Sequence, residues 1–316
     1  MARTKIDPGE QIQPGEITRA HLNSGTAGSA VCLRILAGSG ISLTYTGADS
    51  GTGDVTVAAA GGSTSYIYRG HISGLVMANN GTTPTTDIDI TVGEATDTTV
   101  ADVMALASTL TKRLSTAWAV GSGNGGLDTG SVATSTWYYV WLIKRSDTGV
   151  VDALFSTSAS APTMPANYNR KRLIGAVRTD SSGNIRTFVA YETAGGGLDV
   201  LWSSPPLDIN LANTLTTSRR TDVLTVPTAF STIANINVVI TDTAGGFVWI
   251  YCPDQSDAAP STSAAPLLTL FGTAGNWSGT NALVRTSSAG AIAARGSVAT
   301  IDTYRVATLG WSWSRR

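Results

Sequence analysis

Two Asp-Thr-Gly triplets, at Asp128 and Asp147, are the residues whose type most suggests chemistry. In aspartic proteases such triplets bring two carboxylates together to share a proton, one from each of two lobes or subunits. Here the triplets lie 19 residues apart, and the second sits in KRSDTG (144–149), a hairpin-turn pattern. The spacing therefore argues for turns. GSGNGG (121–126) formally fits a dinucleotide-binding loop. That loop needs a helix after it and an acidic residue further on; LDTG follows instead, and a turn is again expected. His21 and His71 are the only histidines, and neither stands in ligand spacing with Cys32 or Cys252, so no metal site and no cofactor is expected. Four glutamates, Glu10, Glu16, Glu94 and Glu192, leave few glycosidase pairs, although Asp/Asp or Asp/Glu pairs stay open. No catalytic residue emerges, and the chain is read as a non-enzyme. One aromatic stands out. Trp277, in GNWSG (275–279), is a loop indole of the kind that stacks on a sugar ring or tucks back onto its own domain.

Composition bounds the partners. Charged residues are 14% of the 316, against roughly 25% in ordinary globular domains, and the net charge is −1. Such a chain has no strong field for nucleic acid or an anionic membrane. No apolar run approaches the ~18 residues of a membrane span, so no membrane insertion is expected. MARTKIDP at the start lacks the apolar stretch of a secretory signal, which suits synthesis in a reducing cytosol. The two cysteines do not indicate a disulfide. Ser, Thr, Gly, Val and Ile in place of Glu and Lys favour strands and turns, hence a mainly β fold.

The elements follow from local pattern. Residues 1–30 form a polar N-terminal arm punctuated by Pro-Gly pairs, with spaced apolar residues Ile6, Ile12, Ile17 and Leu22 that suit an anchoring peptide ordering on a partner. Residues 31–65 hold a strand, a β-hairpin and a small-residue linker. In GISLTYTGADSGTGDVTV (40–57), Ile41, Leu43, Val55 and Val57 alternate with hydroxyl residues around a Gly/Asp/Ser turn. A two-stranded hairpin is marginal alone, so these four residues are expected at an inter-subunit neck. Residues 66–204 read as a β-rich domain. In DIDITV (87–92) the aspartates alternate with inward Ile88, Ile90 and Val92, and WYYVWLI (137–143) is apolar on both faces, as in a covered central strand. One α-helix is expected at about 99–114, from the stripe Val100, Val103, Met104, Ala107, Leu110 and Leu114. An antiparallel meander follows. After SSPP (203–206), residues 205–316 show short strands at regular spacing and read as a C-terminal antiparallel β-sandwich or jelly roll.

The block GSGISLTYTGADSGTGDVTV (38–57), the segment DIDITVG, the stretch from LTKRLSTAW through RKRLIGAVRTD, and the ending YRVATLGWSWSRR together resemble tailed-bacteriophage tail-fibre and virion-fibre proteins. The resemblance implies a short homotrimeric fibre in the virion. Its N-terminal arm would dock on tail or portal-proximal proteins, and its β domains would project for host attachment. A host-surface polysaccharide or receptor becomes the expected partner, with Trp277 a candidate contact. Two rivals stay open: an adaptor or head-decoration fibre that binds no receptor, and a polysaccharide depolymerase.

Overall fold

The computed structural model describes residues 68–257, 259 and 276–315, and the backbone of Ile41–Thr46, Asp54–Ala59 and Thr269–Phe271. The arm residues Ile6, Ile12, Ile17 and Leu22 lie outside the described residues. The chain divides into two compact units, 1–66 and 67–316. In the first, Ile41–Thr46 pairs antiparallel with Asp54–Ala59, with Leu43 opposite Val57 and Tyr45 opposite Val55. The alternating apolar positions thus stand opposite each other in the register.

The second unit is built from strands, and the described residues contain no helix. One sheet of seven strands runs in the order Arg170–Arg178, Trp137–Lys144, Val151–Ser156, Asn124–Leu127, Leu110–Ala117, Asp87–Ile90, Met77–Asn79. Trp137–Lys144 is second from one edge and paired on both sides, and its two faces enter different apolar clusters. Tyr138, Val140 and Leu142 join one, and Tyr139, Trp141 and Ile143 the other. Hence nearly every side chain in the run is apolar. The sheet is not wholly antiparallel, because short Asn124–Leu127 runs parallel to both neighbours.

A second large sheet follows the order Phe188–Thr193, Gly197–Trp202, Ile301–Trp313, Ile233–Thr241, Ser278–Arg285, with Leu207–Leu215 also paired to Ile301–Trp313. The junction expected at 204/205 lies inside this sheet, since Gly197–Trp202 pairs directly with Ile301–Trp313. A Cβ on Gly310 would sit 2.0 Å from the Val200 carbonyl oxygen, so glycine alone permits that approach. Trp202, Trp137 and Trp311 meet across the junction, with ring centroids 6.0 Å and 6.4 Å apart. A four-stranded sheet (Arg220–Val223, Ala291–Gly296, Phe247–Tyr251, Thr269–Phe271) adds Val248, Ile250 and Ile292 to the same core as Ile236, Val238 and Ile240. A small sheet of Ile72–Gly74, Gly93–Thr96 and Val103–Leu106 completes the unit.

The helix expected at 99–114 is a correction. That segment contributes Val103–Leu106 and Leu110–Ala117, strands of two different sheets. Three causes act together. The Asp97 carboxylate accepts the backbone N–H groups of Thr99, Ala101 and Asp102 at 2.7–2.9 Å, which folds the start into a turn. Val100 stands at φ 60°, incompatible with a right-handed helix. And Leu110, Lys112 and Leu114 are all buried, so the real period is two; a lysine in the buried row disguised it.

The row from 87 to 92 also differs from expectation. Ile88 and Ile90 are fully buried, but so is Asp87, whose carboxylate takes a two-pronged bond from Arg113 at 3.0 and 3.1 Å. The strand ends at Ile90, and Val92 points to solvent.

Two measurable consequences arise here. A β-branched residue in the left-handed region costs of order 1–3 kcal/mol. Val100→Gly is therefore expected to stabilise the protein by about 1 kcal/mol after glycine's own entropy cost, read as a higher urea midpoint at unchanged slope. The second concerns acid. Burial pushes the Asp97 carboxyl up, but bonds from Thr99, Asp102 and Ala101 outweigh it and hold the group below 3.8. For Asp87, burial is likewise outweighed, by bonds from Arg113, Thr86 and Thr83. A depressed folded-state value gives stability that is complete above the unfolded value of about 3.9 and drains as pH falls through the folded one. The urea midpoint should therefore be flat with respect to these two groups from pH 7 to 5 and drop below pH 4. Asp97→Asn should lower the plateau and shallow that acid limb; an unchanged limb would refute the assignment.

Candidate binding surface

The outward face of the six-strand assembly around Ile301–Trp313 is the most distinctive exposed surface of the second unit. It arises from strict alternation in IANINVVIT (233–241). Ala234, Ile236, Val238 and Ile240 are fully buried, while Ile233, Asn235, Asn237 and Val239 are half-exposed on the other side. The register aligns Asn210, Arg305, Val239 and Gly279 across four strands. One outward step along, Ala307, Asn237 and Asn281 align in the same way. Glycine at 279 leaves the sheet surface bare beside Val239. The indole of Trp277, two residues earlier, lies within reach of Arg305, whose guanidinium carbon is 5.1 Å from the ring centroid.

The polar groups are ordered by one another. Arg305 Nε donates to Asn210 Oδ1 at 2.9 Å, and Asn237 Nδ2 donates to Asn281 Oδ1 at 2.8 Å. Trp277 remains 61% exposed. Further exposed apolar residues share this sheet: Leu283, Leu207, Tyr191, Val189 and Leu201. At its far end the face runs into a cleft of about 570 Å³ lined by Asp199, Ile233, Arg285, Ser312 and Trp313 among others.

Two other clefts differ in character. One of about 710 Å³ is walled by Tyr68, Arg69, His71, Ser73 and the 192–196 turn. His71 Nε2 lies 2.8 Å from Glu94 Oε1. Glu192, the single carboxylate lining this cleft, is already engaged by the Gly74 N–H at 2.9 Å and by Arg315 at 3.5 Å. The other, of about 370 Å³, has Asp254 as its single carboxylate beside buried Cys252. A glycosidase requires two carboxyl groups about 5–10 Å apart facing one groove. None of these three clefts is lined by two. Among the described residues no group of three or more His, Cys, Asp or Glu side chains is disposed to hold a metal ion.

The motif residues have local duties. Asp128 accepts the N–H of Thr129 at 2.7 Å and of Thr163 at 3.0 Å, and Asp147 pairs with Arg145 at 2.7 Å in its turn. The glycine loop after Val120 leads into the Asn124–Leu127 strand. It is pinned from below by a buried pair, Lys112 Nζ to Asp152 Oδ1 at 3.1 Å. Among the described residues singled out by sequence, Trp277 is the one at this sheet face. Ile41, Leu43, Val55 and Val57 belong to the separate hairpin unit. Arg305, Asn210, Asn237 and Asn281 were not singled out. The alternating asparagines at 235 and 237 were a legible sign of an outward polar row, but the convergence of residues 210 and 305 depends on strand order.

No known protein family matches this sequence, and no curated protein matches it.

Proposed function

We propose that the chain is a non-enzymatic structural fibre of a bacteriophage virion, a homotrimer held to the particle by its N-terminal arm and presenting its β body to a host surface. The observation that carries this reading is the hairpin. Ile41–Thr46 and Asp54–Ala59 form a two-stranded sheet in a unit of their own, with no third strand paired to it among the described residues. Two strands alone are marginally stable in water. Copies of the chain packed about a symmetry axis would add partners to this sheet and close edges that would otherwise recruit foreign strands. The resemblance of residues 38–57 to the hairpin of tail-fibre proteins points the same way. The sheets of the second unit, layered on a shared core, suit a projecting sandwich-like body, and repetition of its outward face turns weak single contacts into avid ones.

The test is the mass of the full chain in solution. The expected particle contains three chains of 32.6 kDa. Leu43→Asp with Val57→Asp, which places two carboxylates opposite each other in the hairpin register, should convert it to monomer while the body keeps its β signal. A wild-type chain that is monomeric at micromolar concentration sinks the fibre reading. A trimer that docks on particles but leaves cells unbound would favour the adaptor.

A further inference from the structure

Resting on the attachment reading, whose ligand class it names, we propose that the Trp277 end of the outward sheet face binds an acidic saccharide, a glycan carrying carboxylate groups. Trp277 supplies the platform. Its ring is 61% exposed, and the Arg305 guanidinium stands 5.1 Å from its centroid. Contact with Arg305 restrains the indole, so the ring loses little freedom when a ligand stacks on its open surface. A pyranose offers an apolar C–H face of matching size.

The surrounding groups complement the rim of such a ring. In exposed Arg305, Nε donates to Asn210, and the two terminal nitrogens remain for an incoming acceptor. Asn237 gives its Nδ2 to Asn281 Oδ1, which leaves the Asn237 carbonyl as an acceptor and the Asn281 amide as a donor. Fixed planar donor and acceptor pairs of this kind match adjacent hydroxyls, and a guanidinium fork matches a carboxylate. At the Trp277 end the charge favours an anion, because among the described residues no ion pair involves Arg305; at the other end of the same face Arg285 shares its register row with Asp199. Gly279 and Arg285 are both outward on one strand, roughly 20 Å apart at the usual strand rise, so the face is long enough for an oligosaccharide chain.

The experiment uses the full chain in affinity gel electrophoresis and titration calorimetry against polygalacturonate, alginate and polysialic acid, with neutral dextran as the comparison. At least one carboxylated polymer should retard the wild type and dextran should not, with the retardation falling as salt rises. Trp277→Ala and Arg305→Gln should each weaken binding about tenfold or more, whereas Trp277→Phe and Val223→Ser, the latter on a strand of another sheet, should not. Retardation by none of the three acidic polymers, equal retardation by dextran, or wild-type binding by both Trp277→Ala and Arg305→Gln would each overturn the site. So would a change of oligomeric state in Trp277→Ala, which would make the face a contact between copies. The assay needs neither cells nor virions. A protein that adsorbs to cells yet fails here loses this site and keeps the attachment role; one that passes here as a monomer keeps the site and loses the fibre.

Discussion

Replacing Arg315 by Ala is expected to destabilise the second unit by about 3–5 kcal/mol, a large fraction of the 5–15 kcal/mol by which a typical domain is folded. Arg315 is 1% exposed, and its guanidinium reaches the far side of the chain. Nε donates to the Gly196 carbonyl at 2.7 Å, Nη1 to Leu75 at 3.1 Å, and Nη2 to Gly74 at 3.0 Å. Its own carbonyl accepts from Arg172 Nη2 at 2.5 Å. Burial pushes Arg315 down to about 10, with the Glu192 carboxylate opposing and Arg172 adding, so the group is charged at neutral pH. Alanine would take this donor from three carbonyl oxygens, two of them on buried residues, Leu75 and Gly196, each costing about 1–3 kcal/mol where water does not replace it. Leu75, whose carbonyl is one of them, is fully buried at φ 54°, a conformation that the surroundings must enforce.

The measurement is urea unfolding of the full chain, followed by hydrogen exchange. The midpoint should fall, and exchange should rise first in 72–75 and 192–197, before the seven-stranded sheet opens. Arg315→Lys separates charge from geometry. A single ammonium retains the charge but cannot serve three divergent carbonyls at once, so it should recover less than half of the loss. Full recovery by lysine would show that charge alone matters, and an unchanged midpoint in the alanine variant would show that water replaces the fork.

This contact also explains what the sequence hides. Within-strand pattern is readable: WYYVWLI announces a doubly covered strand, SDTG announces a turn, and ISLTYT with DVTV announces the hairpin. Those signals are local, so a few neighbouring residues carry them. Arg315 bonds to residues about 240 positions away, and nothing near it in sequence distinguishes it from the solvent-exposed end of a strand. Lys112 misled in the opposite direction. A buried lysine breaks the period-two row of Leu110 and Leu114, and the remaining apolar residues then fit a helix as well as a strand. The candidate surface was half legible. GNWSG marked the indole, but the guanidinium and the amides come from four strands, and only their order in the sheet brings them beside the loop that carries it.

Lys112 and Asp152 provide the second large effect, and a double substitution shows its origin. Both side chains are 1% exposed, with Nζ 3.1 Å from Oδ1. Nζ also donates to the Ala119 carbonyl at 2.7 Å, and the Gly121 N–H donates to Asp152 Oδ2 at 2.7 Å. Burial pushes the Lys112 ammonium down, and the Asp152 carboxylate beside it opposes that push. Removing one partner leaves the other buried and uncompensated. Lys112→Met is therefore expected to cost about 3–5 kcal/mol. Lys112→Met combined with Asp152→Asn removes both charges but retains an oxygen for the Gly121 N–H. It should recover to within about 2 kcal/mol of the wild type, and the non-additivity should exceed about 1 kcal/mol. Hydrogen exchange at Gly121 distinguishes the two variants, with fast exchange in the single and protection restored in the double. Additive losses would mean that the lysine acts through its packing on Trp118, 5.5 Å from its ammonium, and not through the carboxylate. The pair is thus a device for fixing the glycine loop on the sheet: the loop's own residues supply turn geometry, and the buried charges supply the reason it takes one position.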